Sequence, residues 1–134
     1  MIEDKIFEIL NNANGYVSFD DTTKKALLQK IEIEWERLPD EKYTCSDNAL
    51  IAMMMIDEYL KFKKPNEAKK WADILYKNND RGDSGEEELT RGKIFFEKEE
   101  FDQAKQLFLI AMRKSEGRHL VNAPKKYLDL LKKN

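Results

Sequence analysis

A single cysteine, Cys45, in 134 residues excludes an internal disulfide and favours a reducing, cytoplasmic setting. A single histidine, His119, lies far downstream of it, and no His-Glu-x-x-His run occurs, so the sequence offers no zinc ligand set. Five glycines, none of them grouped, exclude a glycine-rich phosphate loop. No apolar run approaches the roughly 18–20 residues that a bilayer span requires. The longest, Ala49 to Ile56, closes on Asp57-Glu58. The opening residues, Met1 to Lys5, lack the basic-then-apolar order of a secretory signal. No stretch keeps a period of two, so strands are not expected. Together these gaps predict a cytoplasmic, non-catalytic chain without cofactor, metal or membrane contact.

What the chain does have is charge and helical periodicity. Charged residues make up 37% and hydrophobic residues 41%, the composition of a highly charged helical protein, and 134 residues suffice for one domain with a real core. The net charge of -2 is uneven: -4 over residues 1–45, -3 over 46–100 and +5 over 101–134. A basic tail suits phosphate or acidic surfaces. Equally, Lys and Arg gather at helix C-termini because the macrodipole favours them there. With only Tyr127 and His119 as stacking candidates, the tail argues against nucleic acid.

Three- and four-residue apolar steps predict seven helices. The first covers residues 3–12, with Ile6, Phe7, Ile9 and Leu10, and stops at Asn11 to Gly15. The second is capped by Asp20 or Asp21, carries Ala26, Leu27, Ile31, Trp35 and Leu38, and ends at Pro39. A third, capped by Ser46 or Asp47, runs to about Phe62 with a face broad enough to pack on more than one side. Pro65 opens the fourth, with Ala68, Trp71, Ala72, Leu75 and Tyr76. Ser84 and Glu87 stand at capping-box spacing before the fifth, and Asp102 is placed to cap the sixth. Gly117 closes the sixth, and Pro124 opens a last helix over 125–132.

Within these helices one ladder stands out: Gly92, Phe95, Ala104, Phe108 and Ala111. A glycine and an aromatic three apart on one helix face an alanine, an aromatic and an alanine on the next. Tyr59 and Ala68 stand at the aromatic-to-alanine spacing of Phe95 and Ala104, 36 residues earlier. The pattern resembles the tetratricopeptide-repeat (TPR) family, strongly in one unit and weakly in the other, where Ile56 and Ala72 replace the small and aromatic residues. The resemblance covers roughly residues 46–133. It implies an all-α fold of antiparallel helical hairpins stacked as a short solenoid. An N-terminal helical pair (1–45) would precede two hairpins (46–116) and a C-terminal capping segment (117–134), all within one domain, 1–134. Gly117-Arg118 and the Lys125 to Leu128 run further resemble small bacterial TPR-like immunity proteins of toxin–immunity pairs.

In stacked hairpins the first helices line a concave face, where partners bind. The register puts Met53, Asp57, Leu60 and Lys61 of the first unit on that face, with Leu89, Lys93, Phe96 and Glu97 of the second. Phe96 is rotated about 100° from the core position Phe95, which makes it either an interface anchor or a contact for the N-terminal helices. Exposed apolar residues at Met53 or Phe96 would equally serve self-association. An immunity protein needs complementary shape and charge but no catalytic residue, and the acidic first hundred residues suit a basic toxin domain. The alternative is a scaffold or chaperone-like adaptor holding peptide segments in the groove. Glu86-Glu87-Glu88 reads as a charge complement to a helix N-terminus. Arg81-Gly82-Asp83 and Gly82-Asp83-Ser84-Gly85 read as a polar loop, and His119 as a loop histidine near a helix end.

Overall fold

The computed structural model describes residues 4–5, 8, 20–40, 42, 48–77, 82–120 and 123–132. Among them all regular structure is helical, in six α-helices rather than seven. The helix expected over 3–12 falls largely outside the described residues; of it, Asp4, Lys5 and Glu8 are helical. The Ser46 and Asp47 caps and Cys45 also lie outside them. No described helix is long and apolar enough to cross a membrane. The chain divides into two compact units, 1–52 and 53–134.

The first unit contains α1 (Asp21–Glu36) and the start of α2 (Asn48–Lys61). Asp20 caps α1 by accepting from the Thr23 amide at 2.8 Å. The Thr23 side chain and then its amide hydrogen-bond the Asp20 carboxyl and lower its pKa. Leu28, Ile31 and Trp35 form the buried face of α1. Leu28 takes the buried position where Leu27 was expected, and Ala26 is exposed. Lys42 is buried: its ammonium donates to the Trp35 carbonyl at 2.9 Å and lies 5.2 Å from the Trp35 ring centre. A cation at the C-terminal carbonyls of α1 is where the helix dipole favours it. Asn48 donates in turn to the Lys42 carbonyl at 2.8 Å.

The second unit holds the rest of α2, then α3 (Pro65–Leu75), α4 (Glu86–Glu97), α5 (Phe101–Ser115), a 3-10 turn (Arg118–Leu120) and α6 (Lys125–Lys132). Pro65 occupies the first turn of α3, where its missing N–H costs nothing. The N-cap of α4 is Gly85 at φ 94°, not Ser84, and α5 follows Glu100 without a side-chain cap from Asp102. The reason at Gly85 is close approach: a Cβ there would lie 2.9 Å from the Ala111 carbonyl oxygen. The three glutamates that follow each take a partner. Glu86 accepts from Tyr76 at 2.9 Å, Glu87 from Arg91 at 2.8 Å, and Glu88 from Lys114 at 2.9 Å.

Helices α4 and α5 form an antiparallel hairpin about Gly92, which sits against Phe108 and Ala104. Three successive residues of α4, about 100° apart, serve three neighbours. Arg91 reaches Asp73 of α3 at 2.9 Å, Gly92 meets α5, and Lys93 turns toward α6, 5.9 Å from the Tyr127 ring centre. Burial alone would raise the Asp73 carboxyl, but hydrogen bonds from Arg91 and Lys69 outweigh it and hold the group below its ordinary value. That part of the α3–α4 clamp is therefore present above the unfolded carboxylate pKa and is lost as pH falls through the depressed one.

The turn between α4 and α5 has a cost. Glu99 adopts φ 62°, a left-handed conformation, so that Glu100 can donate to the Phe95 carbonyl at 2.9 Å. Non-glycine residues pay about 1 kcal/mol there. Glu99→Gly is therefore expected to raise Tm by a few degrees, read by thermal melting. A lower Tm would mean that the Glu99 side chain contributes more than its backbone costs.

Candidate functional site

A cleft of about 170 Å³ opens in the second unit where α2, α4 and α6 meet. Helix α2 contributes Asp57, Leu60 and Lys61, and α4 contributes Lys93. Pro124, Lys126 and Tyr127 close the third side. The helical periods explain the convergence. Asp57, Leu60 and Lys61 follow one another at three- and four-residue steps on one face of α2, and Pro124 starts α6 so that Tyr127 falls one turn inside it.

Tyr127 anchors this arrangement. It is 4% exposed, stacks edge-on to Phe96 at 4.9 Å and lies tilted against Phe108 at 5.4 Å. Its hydroxyl donates to Glu97 at 3.2 Å. Burial first, then the charge and hydrogen bond of Glu97, push the phenol well above the ordinary tyrosine range, so it remains a neutral donor. The Glu97 side chain is only 7% exposed and also accepts from Lys126, whose ammonium lies 5.1 Å from the Tyr127 ring centre. One buried carboxylate thus fixes two consecutive residues of α6.

The open side of the cleft is charged. Loss of hydration raises the Asp57 carboxyl above its ordinary value, while Lys93 and Lys61 pull it down and Glu58 pushes it up. The ionised form is therefore disfavoured on folding. The Asp57 contribution is fully present below the unfolded pKa near 3.8 and is lost as pH rises through the higher folded value. Asp57 is an exposed residue, so Asp57→Asn is expected to raise Tm only slightly at pH 7, with the difference from wild type vanishing toward about pH 3. An Asn variant that melts lower at pH 7 would reverse the assignment. Lys61, on the α2 side of the cleft, pairs with the buried Glu58 at 3.4 Å.

Of the eight residues singled out by register, Asp57, Leu60, Lys61 and Lys93 line this cleft. Glu97 lies beneath it as the seat of Lys126 and Tyr127. Leu89 and Phe96 are half-buried against the core cluster of Ala104, Phe108, Tyr127 and Leu130. Phe96 also meets Phe101 edge-on at 5.1 Å, so packing within the hairpin accounts for its ring. Met53 is 40% exposed and stands outside the cleft lining. Register reasoning missed Pro124, Lys126 and Tyr127. The available signal was Tyr127 itself, an aromatic placed at a first-helix position. Asp83 of the polar loop pairs with Lys114, while Arg81 and the His119 side chain lie outside the described residues. No group of three or more His, Cys, Asp or Glu that could hold a metal occurs among the described residues.

No protein-family model matches the chain, and no curated protein or solved structure matches it either.

Proposed function

We propose that this chain is a non-catalytic protein-binding module of TPR-like helical hairpins. Its most specific form is an immunity protein that neutralises a cognate bacterial toxin by direct binding. The observation that supports the reading is the cleft. It gathers four of the register-selected residues from α2 and α4 beside Pro124, Lys126 and Tyr127. The close α4–α5 hairpin at Gly92 and Phe108 also has the small-against-aromatic packing that the TPR resemblance implies. A surface of this kind, with apolar walls and charges at the rim, recognises a partner by shape and sign rather than by bond-making.

The test is affinity capture from the source cell with the tagged full chain, set beside Lys93→Glu, followed by reconstitution of any captured pair. One stoichiometric toxin domain, released by Lys93→Glu while the helical spectrum and Tm are unchanged, is the expected result. Many substoichiometric proteins would favour the adaptor alternative. A partner that binds Lys93→Glu as well as wild type would remove the cleft from the interface.

A further inference from the structure

Helix α5 carries an apolar stripe that stays open to solvent. Of the large hydrophobic side chains left exposed among the described residues, three stand on this helix: Phe101, Leu109 and Met112, at 42, 44 and 36%. At about 100° per residue, Phe101, Met112, Lys105 and Leu109 fall in that order within an arc of about 80°. The arc lies beside the buried ridge of Ala104, Phe108 and Ala111, not on it. Asp102 and Arg113, both exposed, flank the stripe on one and the same edge, one toward each end of the helix. Neither has an ion pair among the described residues.

We infer that this stripe is the docking face for a second copy of the chain, the two α5 helices lying antiparallel about a two-fold axis level with Leu107. The order of residues is its own complement under that operation. Phe101 meets Met112 in a ring-to-thioether contact, and Lys105 lays its stem along Leu109. Residues on the same edge face each other in an antiparallel pair, so Asp102 meets Arg113 twice. The three pairings share one centre to within about one residue, which a two-fold axis requires and an unrelated partner would not. A parallel copy would bring each charge level with its own duplicate, like beside like. Two helices about 22 Å long cover less than the roughly 1,200 Å² of a stable interface, so the dimer is weak and concentration-dependent. None of these residues lines the cleft, so the inference stands apart from the partner-binding reading.

Sedimentation equilibrium of the full chain tests it from about 10 µM to about 1 mM, the range that resolves a weak dimer. The wild type is expected to move from monomer toward dimer as concentration rises. Asp102→Arg and Arg113→Asp should each weaken association about tenfold, because each turns both attractive pairs into repulsive ones. Mixed in equal amounts, the two variants regain opposite charges at both pairs and should associate about as tightly as wild type. That recovery requires both variants to be folded, and non-specific adhesion cannot produce it. Leu109→Lys should leave the chain monomeric with an unchanged helical spectrum. A wild type that is monomeric throughout would overturn the inference and leave the stripe to a different protein. A dimer indifferent to Leu109→Lys would overturn it too, as would charge variants that stay apart when mixed.

Discussion

Phe108→Ala is expected to destabilise the second unit by about 3–5 kcal/mol, the usual cost of emptying a fully buried aromatic site. The ring is fully buried, with Gly92 against one edge and Tyr127 on another side. The sharper expectation is the coupling between Phe108 and Gly92. A Cβ on Gly92 would lie 2.6 and 2.7 Å from two Phe108 ring carbons. That ring is held in place by Tyr127, so Gly92→Ala alone should cost about 1–3 kcal/mol through overpacking. In the Phe108→Ala background the same methyl enters vacated space. The clash disappears, and the intrinsic helix preference for Ala over Gly, about 1 kcal/mol, returns. Urea unfolding of the four proteins of the cycle should give a coupling of about 2–4 kcal/mol, with the double variant more stable than the sum predicts. Strict additivity would mean that the hairpin relaxes around the methyl and that Gly92 is not what sets the helix separation.

That pair was legible in the sequence because close packing leaves a residue-type signature. A glycine opposite a large ring, with alanines at the flanking contacts, has few other physical reasons to recur at helical spacing. Helix existence was legible for the same reason: six of the seven periodic segments coincide with α-helices, and Pro65 and Pro124 sit at the starts assigned to them. Caps were less legible. Ser84 and Asp102 have the right chemistry for capping, but the backbone of α4 enters through Gly85 because Ala111 leaves no room for a side chain. That approach belongs to α5, 26 positions away, and no local pattern encodes it.

The same limit governs the site. Asp57, Leu60, Lys61 and Lys93 could be found because a helical wheel separates the face turned to the hairpin partner from the face turned elsewhere. Which element comes to stand opposite that face is not a wheel property. Helix α6 read as a cap, and a cap's amphipathic face fits either side of a hairpin. Charge pairs were illegible for a related reason. With 37% of residues charged, every lysine has several carboxylates at plausible spacing, and only the fold selects Glu97 for Lys126 or Asp73 for Arg91. Phe96 reads in the sequence as either an interface anchor or an N-terminal contact, and neighbours within its own unit are not legible there: its half-buried ring packs edge-on against Phe101 and Tyr127.

Tyr127 joins the fold to the cleft, and its substitutions should separate the two. Tyr127→Ala removes a buried ring that touches Phe96 and Phe108, with an expected cost of about 3–5 kcal/mol and the loss of one cleft wall. Tyr127→Phe keeps the ring and loses only the hydroxyl's bond to Glu97, about 1 kcal/mol, and docking should survive. Titration distinguishes the hydroxyl from the ring. The folded pKa is raised above the ordinary value of 10.0, so the contribution of the phenol is fully present below pH 10 and is lost as pH rises toward the folded value. Wild type should therefore lose stability above pH 10 by up to about 1.4 kcal/mol per pH unit more than Tyr127→Phe does. All other ionisable groups are common to both proteins, so the difference isolates one phenol. Parallel alkaline curves would show that the hydroxyl is solvated, and with that the claim that Glu97 holds α6 in place through Tyr127 would fail.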